Sequence, residues 1–190
     1  INTVASDNIV NASEADAGVT VSGSTTAEAG QIVTVTLNSP TVQTYQATVQ
    51  ADGSWSINIP AADLEALTDG SHTQTATVHD KAGNPASTTH NLAVDLTVPV
   101  LTINTIAGDD IINAAEHGQA LVISGSSTGG EVGDVVSVTL NSKTYTTTLD
   151  ASGNWSVGVP AADVTALGSG PQTGTATVTD AAGNSDSETH

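Results

Sequence analysis

The sequence predicts an all-β protein built from two tandem β-sandwich domains of about seven strands each. Three observations support this class. Thr and Val are abundant, and both favour pleated strands. Apolar residues alternate with polar ones in short segments, which turn residues separate at the spacing of a sandwich. The second half of the chain also repeats the first.

The internal repeat has a period of about one hundred residues, which suits a whole domain better than a solenoid unit. Residues 1–14 align with 103–116, residues 53–56 with 153–156, and residues 80–84 with 180–184. The offset between the copies changes within one hairpin, which is longer in copy 1, between Asn38 and Tyr45, than in copy 2, between Asn141 and Tyr145.

Two domains are therefore expected, residues 1–98 and 99–190. Copy 1 continues after His90 through residues 91–95, for which copy 2 has no equivalent after His190. We expect the last strand of the second domain to be truncated, and the chain to be a fragment of a longer array.

The elements of copy 1 follow from its local pattern. Five segments alternate with period two and are expected to be strands: residues 19–23, 32–37, 45–49, 55–59 and 73–78. A tight hairpin turn at residues 51–54 places Gly53 where a positive φ is tolerated. Residues 60–67 form the only helical pattern, which should cross between the sheets. Trp55 and Trp155 are expected to pack in the core rather than to form a sugar-stacking platform.

The composition excludes several classes of function. The chain has 20 Asp and Glu residues against 2 Lys and Arg, a formal net charge of −18 that repels nucleic-acid phosphates. It has no Cys, which excludes disulfides, zinc–thiolate sites and thiol nucleophiles. Its apolar runs are too short to span a membrane. We therefore expect a chain that binds no nucleic acid and inserts into no membrane.

The histidines and carboxylates do not predict catalysis. His90 and His190 share one repeat position, whereas His72, His79 and His117 align with other residue types. A catalytic triad that one copy lacks is not expected, so the histidines are interpreted as ordinary surface or strand residues. Paired carboxylates for glycoside hydrolysis need a cleft, which an elongated sandwich does not predict. The sequence predicts that the protein is not an enzyme.

Oxygen-bearing side chains recur in register near the start of each copy. Calcium takes about six to eight oxygen ligands from carboxylates, amides, main-chain carbonyls and water. The spacing is not that of an EF-hand loop. Two interpretations stay open, a calcium site and a solvated acidic face. The candidate ligands are Asp7, Asn8, Asn11 and Glu14 in copy 1, and Asp109, Asp110, Asn113 and Glu116 in copy 2.

Three further Asp residues complete the candidate metal ligands. Asp95 ends copy 1, just before a short linker in which Pro99 favours an extended chain. We therefore expect calcium to bridge Asp95 and the loop of Asp109 at the domain junction. Asp80 and Asp180 each begin an Asp-x-Ala-Gly-Asn turn, where the carboxylate either caps backbone amides or binds calcium.

Four motifs occur in both copies. They are Asp-(Asn/Asp)-Ile-(Val/Ile)-Asn-Ala-(Ser/Ala)-Glu at residues 7–14 and 109–116, Gly-x-Trp-Ser at 53–56 and 153–156, Pro-Ala-Ala-Asp at 60–63 and 160–163, and Thr-Ala-Thr-Val-x-Asp-x-Ala-Gly-Asn at 75–84 and 175–184. Together they resemble the bacterial immunoglobulin-like repeats of giant biofilm-associated and RTX-type surface adhesins, which are secreted by the type I route. The resemblance implies two immunoglobulin-like β-sandwiches, display at the bacterial cell surface, and calcium near the joints between repeats.

The leading hypothesis is a structural extender of a large adhesin, stiffened by calcium, that supports cell adhesion and biofilm formation. Its partners would be the neighbouring immunoglobulin-like repeats of the same polypeptide, and the fragment itself would be monomeric. Two alternatives stay open: a module that binds a carbohydrate, ice or a host protein directly, and a passive appendage of a secreted hydrolase.

Overall fold

The computed structural model describes residues 1–38 and 42–190 of the chain. It divides into two compact units, Ile1–Leu96 and Thr97–His190, whereas the sequence placed the boundary between Val98 and Pro99. Each unit has seven strands among the described residues. The predicted all-β class is confirmed.

Unit 1 is a sandwich of a large and a small sheet. Its elements are β1 (Ile9–Asn11), α1 (Ala12–Ala17), β2 (Val19–Ser24), β3 (Ile32–Asn38), β4 (Gln43–Thr48), β5 (Ser54–Ile59), α2 (Ala61–Leu64), β6 (Gly70–His79) and β7 (Pro85–Asp95). The large sheet has the order β1-β7-β6-β3-β4, and β2 pairs with β5 in the small sheet. β1 runs parallel to β7, while the other pairs are antiparallel.

Unit 2 has the same central strands but differs at its ends. Its elements are β8 (Val100–Ile103), β9 (Leu121–Thr128), β10 (Val135–Leu140), β11 (Lys143–Thr148), β12 (Asn154–Val159), α3 (Ala161–Thr165), β13 (Gly174–Thr179) and β14 (Ser185–Thr189). Its sheets have the orders β11-β10-β13-β14 and β12-β9-β8. Residues 111–113, which align with β1, form no strand.

The core of each unit comes from the alternation of its strands. In β3 the side chains of Val33, Val35 and Leu37 are buried while their neighbours face outward. Trp55 and Trp155 are only 4% and 3% exposed, so they pack in the core as the sequence predicts. Each packs against a glycine on the neighbouring strand of the same sheet, Trp55 against Gly23 and Trp155 against Gly125. A light, mostly aliphatic core therefore closes around one tryptophan per unit.

The helical segments are short, and one of them contradicts the sequence analysis. α2 connects β5 of the small sheet to β6 of the large sheet, and it is the crossing predicted for residues 60–67. The statement that this was the only helical pattern was wrong, because α1 is also a helix. Its signal was present in the sequence: Asn11 and Glu14 form a capping box, in which each side chain bonds the other residue's backbone N–H.

The hairpin whose length differs between the copies is described only in unit 2. There Asn141 and Ser142 form a two-residue turn with φ of 48° and 60°, which matches the twist of the flanking strands β10 and β11. The corresponding loop of unit 1 contains residues 39–41, which lie outside the described residues.

Candidate functional site

Each unit contains an acidic loop, residues 4–14 in unit 1 (acidic loop 1) and residues 106–116 in unit 2 (acidic loop 2). In acidic loop 1, Oδ1 of Asn8 accepts a hydrogen bond from the Val4 amide at 2.9 Å, and the Asn8 amide donates to the Val4 carbonyl at 2.8 Å. Asp110 and Ile106 make the same two bonds in acidic loop 2, at 2.7 and 2.8 Å. The two loops therefore close in the same way.

Both acidic loops contain left-handed backbone conformations. Asn8 has φ of 70° and Asp110 has φ of 63°. Asn and Asp tolerate this region because their short polar side chains bond to nearby backbone. Ala5 and Ala107, with φ of 51° and 55°, have no such compensation. A non-glycine residue held in this region costs about 1–3 kcal/mol, so the surrounding bonds must stabilise the loop.

The remaining candidate ligands of the acidic loops also bond to backbone amides. Oδ1 of Asp7 accepts from the Ile9 amide at 2.9 Å, and Asp109 repeats this bond with Ile111 at 3.1 Å. Asn113 and Glu116 exchange the same two bonds as the capping box of α1: the Asn113 amide donates to Oε2 of Glu116, and the Glu116 amide donates to Oδ1 of Asn113. Residues that align between the two copies of the repeat thus make the same hydrogen bonds in both acidic loops.

A histidine contacts each acidic loop at the same position. Nε2 of His90 lies 2.8 Å from Oδ1 of Asn8, and Nε2 of His190 lies 2.6 Å from Oδ1 of Asp110. The Ile106 amide, and then His190, hold the pKa of Asp110 below its usual range. The repeat aligns these two histidines, but the sequence predicted only ordinary surface or strand residues at both positions. Their contacts join the last strand region of each unit to its acidic loop.

The structure places Asp95 beside acidic loop 1 of its own unit. The parallel pairing of β1 and β7 sets Asp95 opposite Asn11, and the Ala93 amide donates to the Asn8 carbonyl at 2.9 Å. Asp69, which is not among the predicted metal ligands, accepts a hydrogen bond from the Leu96 amide at 2.7 Å. Its available signal was the Asp-Gly pair just before a strand. Sharing of one calcium ion by Asp95 and Asp109 stays a prediction.

Asp80 and Asp180 cap their turns, the first of the two roles considered for them. Oδ1 of Asp80 accepts from the amides of Ala82 and Asn84, at 2.9 and 2.8 Å, and Oδ2 accepts from the Asn84 side chain at 2.7 Å. Asp180 makes the equivalent three bonds at 2.9, 2.8 and 2.9 Å. Hydrogen bonds from Asn84 lower the pKa of Asp80. A role of these two residues as calcium ligands is untested.

Comparison with known proteins assigns the fold to a family. A family model described as a bacterial Ig-like domain matches residues 2–96. The chain belongs to the bacterial Ig-like domain family. The internal repeat extends this description to unit 2, so the protein is a tandem pair of bacterial Ig-like units.

Solved structures of adhesins resemble this bacterial Ig-like pair. The chain is 40% identical to a Ca²⁺-stabilised adhesin with which an Antarctic bacterium binds ice; the alignment covers 99% of this chain and 46% of that one, with a TM-score of 0.51. It is 38% identical to a 1.5-MDa bacterial ice-binding adhesin, covering 99% and 60%, with a TM-score of 0.48.

A third structure, a bacterial immunoglobulin-like domain from the M. primoryensis ice-binding adhesin, is 42% identical over 49% of this chain and 91% of that one, with a TM-score of 0.40. Of the first two adhesin structures, the alignment with this chain covers only part of the length, 46% and 60% respectively. No curated protein matches the chain. None of the helices in the described ranges is long and apolar enough to cross a membrane.

The donor chemistry of the acidic loops fits a hard cation. Within residues 1–38 and 42–190, no group of three or more His, Asp or Glu side chains is already arranged around a metal position. Calcium also accepts amide and main-chain oxygens, however, and the loops supply Asn11, Asn113 and several carbonyls. Each carboxylate has two oxygens, so the one bond that Asp7 or Asp109 makes to an amide leaves acceptor capacity.

Proposed function

We propose that the chain is a pair of structural extender modules of a large bacterial surface adhesin, without enzymatic activity of its own. The observation that carries the proposal is the 40% identity to the Ca²⁺-stabilised adhesin over 99% of this chain. The tandem repetition of one bacterial Ig-like unit supports the proposal, because each added repeat lengthens the polypeptide by one folded module. Display outside the cell belongs to the same proposal.

The extender role is tested by dimension and by binding. A pair of extender modules should be monomeric and elongated in small-angle X-ray scattering, and should show no saturable binding on a glycan array. A globular scattering profile, or a specific glycan ligand, would contradict the proposal.

We further propose that calcium stabilises each unit through its acidic loop. In unit 1 the ligands would come from Asp7, Asn11, Glu14 and Asp95, and in unit 2 from Asp109, Asp110, Asn113 and Glu116. When bound, the ion neutralises carboxylates that repel each other in a chain of net charge −18. It would also hold the left-handed loop backbone in place, since a ligand that binds only the folded state stabilises that state.

Calorimetry with a charge-matched control tests the calcium proposal. We expect Ca²⁺ to raise the melting temperature of the chain, and the double variant Asp109→Asn with Glu116→Gln to reduce that increase in unit 2. The control is Asp52→Asn with Glu65→Gln, which removes the same two charges from exposed positions of unit 1. An equal calcium-dependent increase in the two double variants would contradict the ligand assignment.

A second candidate function, direct binding of a carbohydrate, is favoured by the outer face of the large sheet of unit 2. Hydroxyl side chains occupy equivalent positions on four neighbouring strands. One row comprises Thr144, Thr139, Thr175 and Thr189, and the next comprises Thr146, Ser137, Thr177 and Ser187. Such a row can hydrogen bond to a neutral hydroxylated polymer. The glycan array decides, because the extender proposal expects no ligand there.

A further inference from the structure

In unit 2 the chain from the end of β9 to the start of β10, residues 127–134 (the β9–β10 loop), contains two buried polar side chains. Ser127 and Asp134 are each only 7% exposed. The Oγ atom of Ser127 is buried and has no hydrogen-bond partner among the described residues. A buried polar atom without a partner destabilises the folded state, so it requires an explanation.

The carboxylate of Asp134 has little to compensate its charge. Its Oδ2 atom accepts one hydrogen bond, from the Glu131 amide at 2.6 Å. Lys143 is the only Lys or Arg in the sequence of unit 2, and its side chain pairs with Asp163. A buried charge is tolerated when it is paired or coordinates a metal ion. Unit 2 therefore has no fixed cationic side chain to offer Asp134.

The two buried side chains face the same glycine. A Cβ atom on Gly130 would lie 3.1 Å from Oγ of Ser127 and 3.3 Å from Oδ2 of Asp134. The distance between the two oxygens therefore cannot exceed the sum of these values. Calcium lies about 2.3–2.6 Å from its oxygen ligands, so two ligands of one ion are roughly 3–5 Å apart. The arrangement at Gly130 is compatible with that spacing.

Unit 1 has Thr25 where unit 2 has Ser127. The amide of each residue donates to the carbonyl of a glycine in the following hairpin turn, Gly53 at 2.9 Å or Gly153 at 2.8 Å. Oγ1 of Thr25, however, accepts a hydrogen bond from the Ala27 amide at 3.2 Å. The hydroxyl of unit 1 thus has a partner within its own loop, unlike the hydroxyl of unit 2.

Unit 1 also has Gln31 where unit 2 has Asp134. The carbonyl of each accepts a hydrogen bond from the amide of an aligned residue, Val49 at 2.9 Å or Leu149 at 3.0 Å. Unit 2 therefore has a carboxylate at a position where unit 1 has a neutral amide. The unpartnered hydroxyl and the buried carboxylate occur together, and only in the β9–β10 loop of unit 2.

A second carboxylate lies in the same loop. Glu131 aligns with Glu28, since the Asp134 amide donates to the Glu131 carbonyl at 3.1 Å and the Gln31 amide donates to the Glu28 carbonyl at 3.2 Å. Oε2 of Glu28 accepts a hydrogen bond from the Lys81 amide at 3.1 Å. The exposed carboxylate of Glu131 makes no such bond within residues 1–38 and 42–190. Both of its oxygens are therefore available to a ligand.

We propose that Ser127, Glu131 and Asp134 form a binding site for a hard divalent cation in unit 2, separate from acidic loop 2. Asp134 and Ser127 are the buried ligands, and Glu131 binds the ion from the solvent side. Main-chain carbonyls and water complete the oxygen shell. The ion neutralises the buried carboxylate and gives the Ser127 hydroxyl a partner. The proposal does not depend on the extender function or on the acidic loops, because it uses other residues.

The test is a Ca²⁺ titration of the complete 190-residue protein, followed by amide chemical shifts. The protein carries Asp109→Asn with Glu116→Gln, so that the proposed ligands of acidic loop 2 are weakened. We expect saturable shift changes within residues 127–134. Adding Ser127→Ala should weaken this binding at least about tenfold, because one oxygen ligand is lost. Adding Asp134→Asn should abolish it, because the ligand charge is lost.

Matched controls come from exposed positions of the same unit. Ser156→Ala removes a hydroxyl and Glu188→Gln removes a charge, and neither should change the Ca²⁺ affinity of the β9–β10 loop. K⁺ at the same ionic strength should produce no saturable change. An equal response to K⁺, or shift changes that are absent from residues 127–134, would overturn the proposal. Shift changes there without any in the acidic loops would support it and contradict the acidic-loop proposal.

Stability without calcium separates a ligand from a merely structural side chain. Because Oγ of Ser127 has no partner among the described residues, Ser127→Ala should leave the melting temperature in chelator unchanged or higher. In saturating Ca²⁺ the same variant should have a lower melting temperature than the parent, since it gains less from the bound ion. A Ser127→Ala variant that is destabilised equally in chelator and in Ca²⁺ would show that the hydroxyl is not a ligand.

Discussion

Asp110 and His190 are 80 residues apart in the sequence, yet Nε2 of the histidine lies 2.6 Å from Oδ1 of the carboxylate. His90 and Asn8 make the equivalent contact in unit 1 at 2.8 Å. The amide oxygen of Asn8 in unit 1 and the carboxylate oxygen of Asp110 in unit 2 thus make the same contact with a histidine. Because an amide oxygen can only accept, Nε2 of His90 must carry the proton in unit 1. The contact joins the end of the large sheet to the acidic loop.

The first prediction concerns Asn8. Asn8→Ala should lower the free energy of unfolding of unit 1 by about 1–3 kcal/mol, because it removes the bonds from Val4 and His90 and places alanine at a left-handed φ. Asn8→Asp should retain most of the stability, as Asp110 does in unit 2. Chemical denaturation measures the difference, with the exposed Gln46→Ala as the control. Equal effects of the two alanine variants would contradict this role of Asn8.

The second prediction concerns the tyrosines. The Tyr45 hydroxyl donates to Oδ2 of Asp63 at 2.6 Å, and the Tyr145 hydroxyl donates to Oδ2 of Asp163 at 2.8 Å. Tyr45→Phe should lower the free energy of unfolding by about 0.5–1.5 kcal/mol, the usual contribution of one hydrogen bond. The measurement is chemical denaturation near neutral pH, with Gln46→Ala again as the control.

The same tyrosine predicts a dependence on alkaline pH. Burial, and then Asp63, raise the pKa of Tyr45 above its ordinary value of 10.0. A raised pKa means that the stabilisation is complete below pH 10.0 and is lost as the pH rises towards the folded-state pKa. Tyr45→Phe should lack this part of the alkaline loss of stability. A variant whose melting temperature falls as steeply as that of the wild type above pH 10.0 would show that the bond does not contribute.

The third prediction concerns acid. The pKa values of Asp80 and Asp150 lie below the ordinary value of 3.8, because hydrogen bonds from Asn84 and Asn154, respectively, favour the charged form. A lowered pKa means that the stabilisation is present above pH 3.8 and is lost as the pH falls through the folded-state pKa.

Asp80→Asn tests this effect directly. The variant should be less stable than the wild type at neutral pH, and the difference in melting temperature should shrink below pH 3.8. The exposed Glu65→Gln serves as a control that also removes one charge. A difference that does not change with pH would exclude the ionised Asp80 cap as its cause.

The fourth prediction concerns the glycines against the tryptophans. A Cβ atom at Gly23 would lie 2.6 Å from Cζ2 of Trp55, and at Gly125 it would lie 1.9 Å from the Thr102 carbonyl oxygen. Gly23→Ala should therefore destabilise unit 1 by about 1–3 kcal/mol. Gly125→Ala should be worse, because a backbone group cannot move aside as a side chain can.

Tryptophan fluorescence during denaturation measures both glycine variants, since each unit contains one tryptophan. Gly158→Ala is the control, because it lies in a strand with nothing within 4 Å of the added Cβ. A stability of Gly125→Ala equal to that of the control would refute the packing argument.

The fifth prediction concerns removal of calcium. If calcium restricts motion between the two units, a chelator should change the maximum dimension in small-angle scattering and broaden the distance distribution. Asp95→Asn should show the same change in the presence of calcium. Asp80→Asn should not, because Asp80 caps a turn within unit 1. An unchanged maximum dimension with and without chelator would remove the stiffening mechanism while leaving the effect of calcium on each unit to calorimetry.

The sequence by itself determined the features that depend on neighbouring residues. Alternation placed Trp55 and Val35 inside, and the Asp-x-Ala-Gly-Asn motif predicted the turns that Asp80 and Asp180 cap. The capping box at Asn11 was equally local and was missed. The repeat determined the number of units, because each copy contains the residues that make one full set of these hydrogen bonds.

Only the tertiary structure decided which distant residues meet. The parallel pairing of β1 with β7 sets Asn11 opposite Asp95, and it joins His90 to Asn8. Local periodicity carries no information about such pairs, because strand order and register are set by how the whole sheet buries its apolar face.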